Sequence, residues 1–259
     1  MNPRRKKEWF DNDVFWRELY PFMFSPDRFA DASRETKQVV KLTKPRGKSV
    51  LDLCCGPGRC AMALAERGFF VTGVDRTKYL LTRARALAKR SRARVEWIQA
   101  DMRDFLRPGA FDLVLSMYTS FGYFEDKQED LQVLRNCFVN LRPGGKCLVE
   151  VAGKEFLARN LNATKHELLQ SSSRGARLVR SEEVFDDWSR VRVEWILIRN
   201  GTAKTFRFHF TIYSGQELKD RIASAGFAKI RLYGSFDGDE YGPAARRLIA
   251  IAEKPLRKI

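Results

Sequence analysis

Histidine is scarce. The chain of 259 residues has only His166 and His209, so there is little imidazole for metal binding or proton transfer. No His, Cys, Asp and Glu residues cluster at metal-ligand spacing, and no metal is expected. Its five cysteines, Cys54, Cys55, Cys60, Cys137 and Cys147, are odd in number and contain no C-x-x-C pair. That argues against a disulfide framework and reads as buried free thiols in a reducing cytoplasm. No run reaches the ~18 apolar residues of a membrane span. The basic N-terminus, Met1 to Glu8, is not followed by an apolar stretch, so no signal peptide is expected. Internal repeats and long low-complexity tracts are also missing.

What remains is a chain with 44% hydrophobic residues and a net charge of +16. The length suits one substantial core, or one core with an insert. The charge fits RNA, an acidic small substrate, or a generally basic surface, and the basic residues are spread along the chain, not gathered in one block.

From residue 48 onward, strand-like and helix-like stretches alternate. Strands are expected at 49–54, 69–74, 94–99, 112–116 and 145–151, with helices at 58–67, 77–90 and 126–141 between them. This alternation gives a parallel sheet with helices on both faces, and ligands bind at the carboxyl ends of its strands. Before it, residues 8–30 are rich in aromatics, and Phe15, Trp16, Leu19 and Tyr20 follow helical spacing; Pro21 and Pro26 are expected to break this segment, with a helix at 31–42 after it. After a helical or mixed stretch at 154–170, the period changes to two. Val191, Val193, Trp195 and Leu197 alternate, as do Phe206, Phe208, Phe210 and Ile212, with the hairpin signal Asn200-Gly201 between them. Together with a strand at 178–185, they predict an antiparallel insert over about 171–213. Ser214-x-x-Glu217 reads as a capping box opening a helix that Gly226 ends, and strands at 228–235 and 246–253 complete the chain.

The stretch that organises this order is Ser49 to Arg59: an apolar strand carrying Asp52, a turn with Gly56 and Gly58, then a helix. Glycines let a backbone approach a ligand, and a new helix offers free N–H groups, so strand, turn and helix make a nucleotide-binding corner. Gly56-x-Gly58-x-x-Ala61 also fits a relaxed dinucleotide fingerprint. The full pattern, Asp52-x-Cys54-x-Gly56-x-Gly58, resembles motif I of the class I S-adenosylmethionine-dependent methyltransferases, with Cys54 in place of the first glycine. Asp101-Met102 after the third strand, Phe111-Asp112-Leu113-Val114 in the fourth, and Leu141-Arg142-Pro143-Gly144-Gly145 before the fifth are similar to the same family. The likeness is close over about 48–152 and looser at the last helix and strands.

The resemblance implies a Rossmann-like seven-stranded methyltransferase sheet with helices on both faces and an antiparallel β insert between strand five and the last helix. It divides the chain into an N-terminal helical lid segment (1–47), a cofactor-binding core (48–153), a substrate-side insert (154–213) and a completion of the core sheet (214–259). The implied cofactor is S-adenosylmethionine, leaving as S-adenosylhomocysteine, held by Asp52, Cys54, Gly56, Gly58, Asp75, Arg76, Asp101, Met102 and Ser116. Asp75, 17 positions beyond Gly58, would accept from the ribose hydroxyls; Asp101 would reach the adenine amine and Met102 pack on the ring. Alternative readings are a surface aspartate at Asp75 and a helix N-cap with a core methionine at Asp101-Met102.

The reacting edge is expected at Ser116 to Phe124, where Tyr118, Phe121, Tyr123 and Phe124 can line a pocket or face a sulfonium. There is no [Asp/Asn/Ser]-Pro-Pro-aromatic sequence and no Pro-Cys nucleophile, so both main base-methylating chemistries lose support. Methyl transfer needs the nucleophile held in line, and a hydroxyl or ammonium nucleophile needs a base. Thr205, Arg207, His209, Thr211 and Tyr213 share one face by alternation. If that face looks toward the strand ends, His209 or Tyr213 is the base candidate, with Tyr118 beside the reacting edge, and Arg207 would bind an acidic substrate. The bland alternative is a solvated sheet face. A small-molecule acceptor is the leading expectation; an RNA or protein methyltransferase, a cofactor-binding regulator without catalysis and an NAD dehydrogenase are the alternatives. The sequence leaves oligomeric state open.

Overall fold

A computed structural model describes residues 7–91, 93–160, 167–170 and 175–256. After a 3-10 turn at Trp9–Asp11, α1 (Asp13–Met23) and α2 (Pro26–Thr43) precede β1 (Ser49–Leu53). Then come α3 (Arg59–Ala65), β2 (Phe70–Asp75), α4 (Lys78–Ser91), β3 (Val95–Gln99), β4 (Phe111–Ser116), α5 (Lys127–Asn140), β5 (Leu141–Val151) and α6 (Lys154–Asn160). The strands β6 (Glu167–Gln170), β7 (Arg177–Phe185), β8 (Arg190–Arg199) and β9 (Thr202–Thr211) follow, and the chain closes with α7 (Gly215–Ser224), β10 (Ala228–Tyr233) and β11 (Leu248–Glu253).

The main sheet has seven strands in the order β3-β2-β1-β4-β5-β11-β10. The first five are parallel, while β11 runs antiparallel to both β5 and β10. Strand order reverses between β1 and β4, and the crevice of such a sheet opens where that reversal occurs, beyond the carboxyl ends. Both central strands are covered on both faces, which is why they read as near-continuous apolar runs: Val50, Leu51, Leu113, Val114 and Leu115 have no exposed surface. The expected sheet with helices on both faces is present.

Local signals explain the helix starts. The Asn12 side chain accepts from the backbone of Val14 and Phe15, Asp126 caps α5, and the Ser214–Glu217 capping box is formed. Two expectations need correction. Pro21 does not break the first helix but sits within its last turn, and the break falls at Phe24 and Ser25. Pro26 starts α2 instead, at the position where a missing N–H leaves no helical bond unmade. The helix therefore begins five residues before 31.

The insert is a separate antiparallel sheet of four strands, β6-β7-β8-β9, and it begins at Glu167 before the expected 171. Asn200 and Gly201 both have positive φ, 49° and 75°, and close the β8–β9 hairpin as expected. Val191, Val193 and Leu197 pair across strands with residues on the same face as Phe206, Phe208 and Phe210, and this apolar face turns inward. Arg192, Glu194, Arg207 and His209 take the other face. Of the two readings of the polar face of β9, Arg207 and His209 follow the solvated one: the apolar face wins the interior because burying it removes the larger apolar area from water. His166 lies outside the described residues.

Candidate active site

A cavity of about 350 Å³ lies between the carboxyl ends of the core strands, the inner face of the antiparallel sheet and the N-terminal segment. On the core side it is lined by Asp52, Cys54, Gly56, Asp75, Arg76, Asp101 and Met102; on the other by Trp9, Phe15, Trp16, Trp195, Phe208 and Phe210. Tyr118, Tyr123 and Phe124 line it from the loop after β4, whereas Phe121 is fully buried and packs on Tyr213.

The turn after β1 is built around Asp75. Its Oδ2 accepts from the Gly56 N–H at 2.9 Å and its Oδ1 from the Thr77 N–H at 2.7 Å. The acid at the end of β2 therefore pins the glycine turn, and each oxygen keeps a lone pair for a ligand hydroxyl. Burial pushes the Asp75 carboxyl above its ordinary value, against the two backbone bonds. Gly56 has φ +55°, and Cys54 shares that left-handed region at φ +55°; this is the conformation that favours glycine at the first position of the motif. The Cys54 Sγ meets the Met102 Sδ at 3.4 Å, joining the turn to the next candidate contact. Gly58 does not line the cavity. It has φ +84°, and a Cβ there would lie 2.4 Å from the Trp97 ring, so its role is close packing of turn on sheet.

Asp101 sits in a clamp that the sequence did not show. Its Oδ1 accepts from the backbone N–H and Nε of Arg103 at 2.9 and 3.0 Å, and its Oδ2 from Arg103 Nη2 at 2.7 Å. Arg76 adds a contact at 3.1 Å. Burial opposes ionisation of Asp101, but these guanidinium bonds outweigh it and hold the carboxyl below its ordinary value. The Arg103 side chain is only 2% exposed and also pairs with Glu8 and Glu129. Arg76 pairs with Glu8 and Asp11 and lies over the Phe10 ring at 4.6 Å. Two arginines thus tie the Asp101 end of the cavity to the N-terminal segment. Trp9 extends that link to the antiparallel sheet by stacking on Phe208 at 4.5 Å.

Asp52 is buried mid-strand, and its pKa is raised to about 7, first by burial and further by Asp75, with Arg59 opposing. A folded-state pKa above the unfolded one means that the unfolded chain ionises first as pH rises. The stability Asp52 contributes is complete below its ordinary value of 3.8 and is lost as pH rises through about 7. Replacing Asp52 by Asn should therefore flatten the urea midpoint against pH between these values. A profile with the wild-type slope would show that Asp52 is ionised throughout in the fold. Ser116 is also buried, its Oγ lacks a partner among the described residues, and it does not line the cavity.

The three base candidates are dispersed. His209 lies on the outer sheet face, its Nε2 2.7 Å from Glu125, and does not line the cavity. Tyr213 donates to the buried Asp130 at 2.5 Å and is likewise outside the cavity; burial and the adjoining carboxylate push its phenol up. Tyr118 does line it, but donates to Glu35 at 2.5 Å, and burial raises its pKa, which opposes loss of a proton. Arg207 pairs with Glu194 on the outer face.

The sequence reading also missed the polar pair that does face inward. Arg180 and Glu182 on β7 bond to each other and stand opposite Trp195 and Val193, among the cavity-lining residues. Their signal was present in the alternation Leu178, Arg180, Glu182, Val184, which places two charged residues on an otherwise apolar face. All five cysteines are free thiols. Among the described residues, no group of three His, Cys, Asp or Glu could hold a metal ion, and no helix is long and apolar enough to cross a membrane.

Residues 50–145 match a family described as a methyltransferase domain. The cypemycin N-terminal methyltransferase of Streptomyces sp is 26% identical over 209 residues, which span 80% of this chain and 84% of the relative. The CcbJ methyltransferase from Streptomyces caelestis superposes with a TM-score of 0.74 at 18% identity, over 87% of this chain and 90% of that one. CalS10 from Micromonospora echinaspora, an amino pentose methyltransferase solved with S-adenosylmethionine bound, gives 0.67 at 18% identity, over 98% of this chain and 100% of its own. The family match spans the glycine turn, the strand that carries Asp75 and the loop that carries Asp101, so residues 50–145 carry a methyltransferase domain, and the chain has the fold of solved S-adenosylmethionine-dependent methyltransferases.

Proposed function

We propose that the protein methylates an oxygen or nitrogen nucleophile of a small molecule held inside this cavity. The observation that carries the reading is the enclosure: the antiparallel sheet and the N-terminal segment cover the strand ends with aromatic side chains, leaving room for a compact acceptor. An amine acceptor suits the site better than a hydroxyl, because among the three base candidates only Tyr118 lines the cavity and its proton is held by Glu35. A neutral amine brings its own lone pair. The name of the cypemycin N-terminal methyltransferase supports the same choice, and CalS10 is named for an amino sugar.

S-adenosylmethionine supplies an electrophilic methyl group on a sulfonium. Asp75 would hold the ribose, Met102 would pack on the adenine with Asp101 at its amine, and Gly56 and Cys54 would border the amino-acid tail. The residues present fit this ligand: an acid with free lone pairs at the end of β2, a buried thioether beyond β3, and a turn in the left-handed conformation that brings backbone close. Trp9, Trp195 and Phe208 would exclude water and orient the acceptor, with residues 7–47 serving as a lid. Glu182, on the inner face, is the group placed to accept an acceptor's N–H.

Incubating the protein with labelled S-adenosylmethionine and a cell extract, then separating products by size, tests the acceptor class. Label is expected in the low-mass fraction. Label confined to RNA or protein would overturn the small-molecule assignment.

A further inference from the structure

We propose that Arg59, backed by Arg28, is the seat of a ligand carboxylate at the end of the cavity beside the glycine turn. The proposal rests on the reading of the cavity as a cofactor and acceptor site. Arg59 is only 8% exposed and lines the cavity. Its guanidinium lies 4.0 Å over the Tyr118 ring and 5.8 Å from that of Phe24. Its one hydrogen bond among the described residues is from Nη1 to the Arg28 carbonyl at 3.2 Å. A guanidinium carries five N–H donors, and burial without an anion is costly.

Other arginines around the cavity are answered. Arg103 has Asp101, Glu8 and Glu129; Arg76 has Glu8, Asp11 and Asp101; Arg180 has Glu182; and Arg247, behind Tyr118, has Glu35 and Glu150. Among the described residues, neither Arg59 nor Arg28 has a carboxylate at ion-pair distance. Asp52 acts on Arg59 from further away and is itself raised to about 7, so it neutralises only part of the charge near neutrality. Arg28 also lines the cavity, and Arg59, Arg180 and Arg247 all repel its positive charge. On that wall Arg59 and Arg28 thus remain without a carboxylate at ion-pair distance among the described residues, and a carboxylate accepts from such a fork in two parallel bonds. Two ligands offer one: the amino-acid tail of the cofactor, which would run past Gly56 toward Arg59 from a ribose at Asp75, and an acidic group on the acceptor.

Calorimetric titration with S-adenosylhomocysteine and with 5′-deoxy-5′-methylthioadenosine, which lacks the amino-acid tail, separates them. For the cofactor source, R59M should weaken S-adenosylhomocysteine by about ten- to a hundredfold and leave methylthioadenosine unchanged, with R59K between. Because Arg59 is buried, R28M at an exposed position provides a second test and should show the same selectivity with a smaller loss. If R59M binds both nucleosides as wild type does, the complexes with S-adenosylhomocysteine are titrated with benzoate. Binding to wild type and not to R59M assigns the seat to the acceptor. Equal benzoate behaviour in both proteins, or equal weakening of both nucleosides by R59M and R28M, would overturn the proposal. Wild-type protein that binds neither nucleoside would instead overturn the reading of the cavity on which the proposal stands.

Discussion

Asp75→Ala should weaken S-adenosylhomocysteine by about 1–3 kcal/mol, the scale of lost hydrogen bonds to a charged group, or about five- to 150-fold in Kd. Two losses combine. The proposed acceptor of both ribose hydroxyls disappears, and the N–H groups of Gly56 and Thr77 lose their partners at 2.9 and 2.7 Å. The second loss loosens the turn that would border the amino-acid tail, so adenosine, which lacks the tail, should suffer less than S-adenosylhomocysteine. Calorimetry on the two ligands measures the difference. A variant that keeps its urea midpoint and binds S-adenosylhomocysteine within twofold of wild type would remove Asp75 from the ribose site. Asp75→Asn is a useful companion, since its amide can serve only one of the two N–H groups as an acceptor.

The features legible in the sequence were those governed by local chemistry. The run Val50-Leu51-Asp52-Leu53 followed by Gly56 and Gly58 specifies a buried strand and a tight turn, and Asn200-Gly201 specifies a hairpin through its positive φ angles. The order of elements then limited the topology to the observed sheet. What was not legible depends on contacts distant in sequence. Alternation in β9 separates Phe206, Phe208 and Phe210 from Arg207 and His209, but it does not say which face meets the core. The partners that cover the apolar face, Trp9 and Phe15 against Phe208, lie nearly two hundred residues earlier in the chain. The same applies to Pro21. A proline usually argues against helix interior, yet here it falls in the last turn of α1, where Trp16 and Leu19 bury the helix against the core and tertiary packing overrides propensity.

Arg103 is the most consequential residue that local reasoning passed over, because its partners lie at Glu8, Asp101 and Glu129. Its guanidinium is also 4.1 Å from the Phe124 ring. Arg103→Met keeps much of the volume and removes the charge. Breaking a buried pair by deleting one partner costs about 3–5 kcal/mol, and the lower end applies here, since Arg76 remains on Asp101 and Glu8 can turn toward water. Urea denaturation should show that loss. A functional consequence should accompany it: the start of the segment proposed as the lid is tied to the core in part through Glu8, beside Asp11 on Arg76 and Trp9 on Phe208, so its local opening becomes easier than global unfolding. Trypsin should then cut at Arg17 faster in Arg103→Met than the drop in global stability accounts for, and S-adenosylhomocysteine should dissociate faster. Glu8→Gln separates the two effects. It frees the segment while leaving the Arg103–Asp101 bonds in place, so it should reproduce the faster cleavage with less than half the stability loss. Equal cleavage rates in both variants and wild type would show that the Arg103–Glu8 pair does not hold the segment and that Arg103 serves only Asp101 and Glu129.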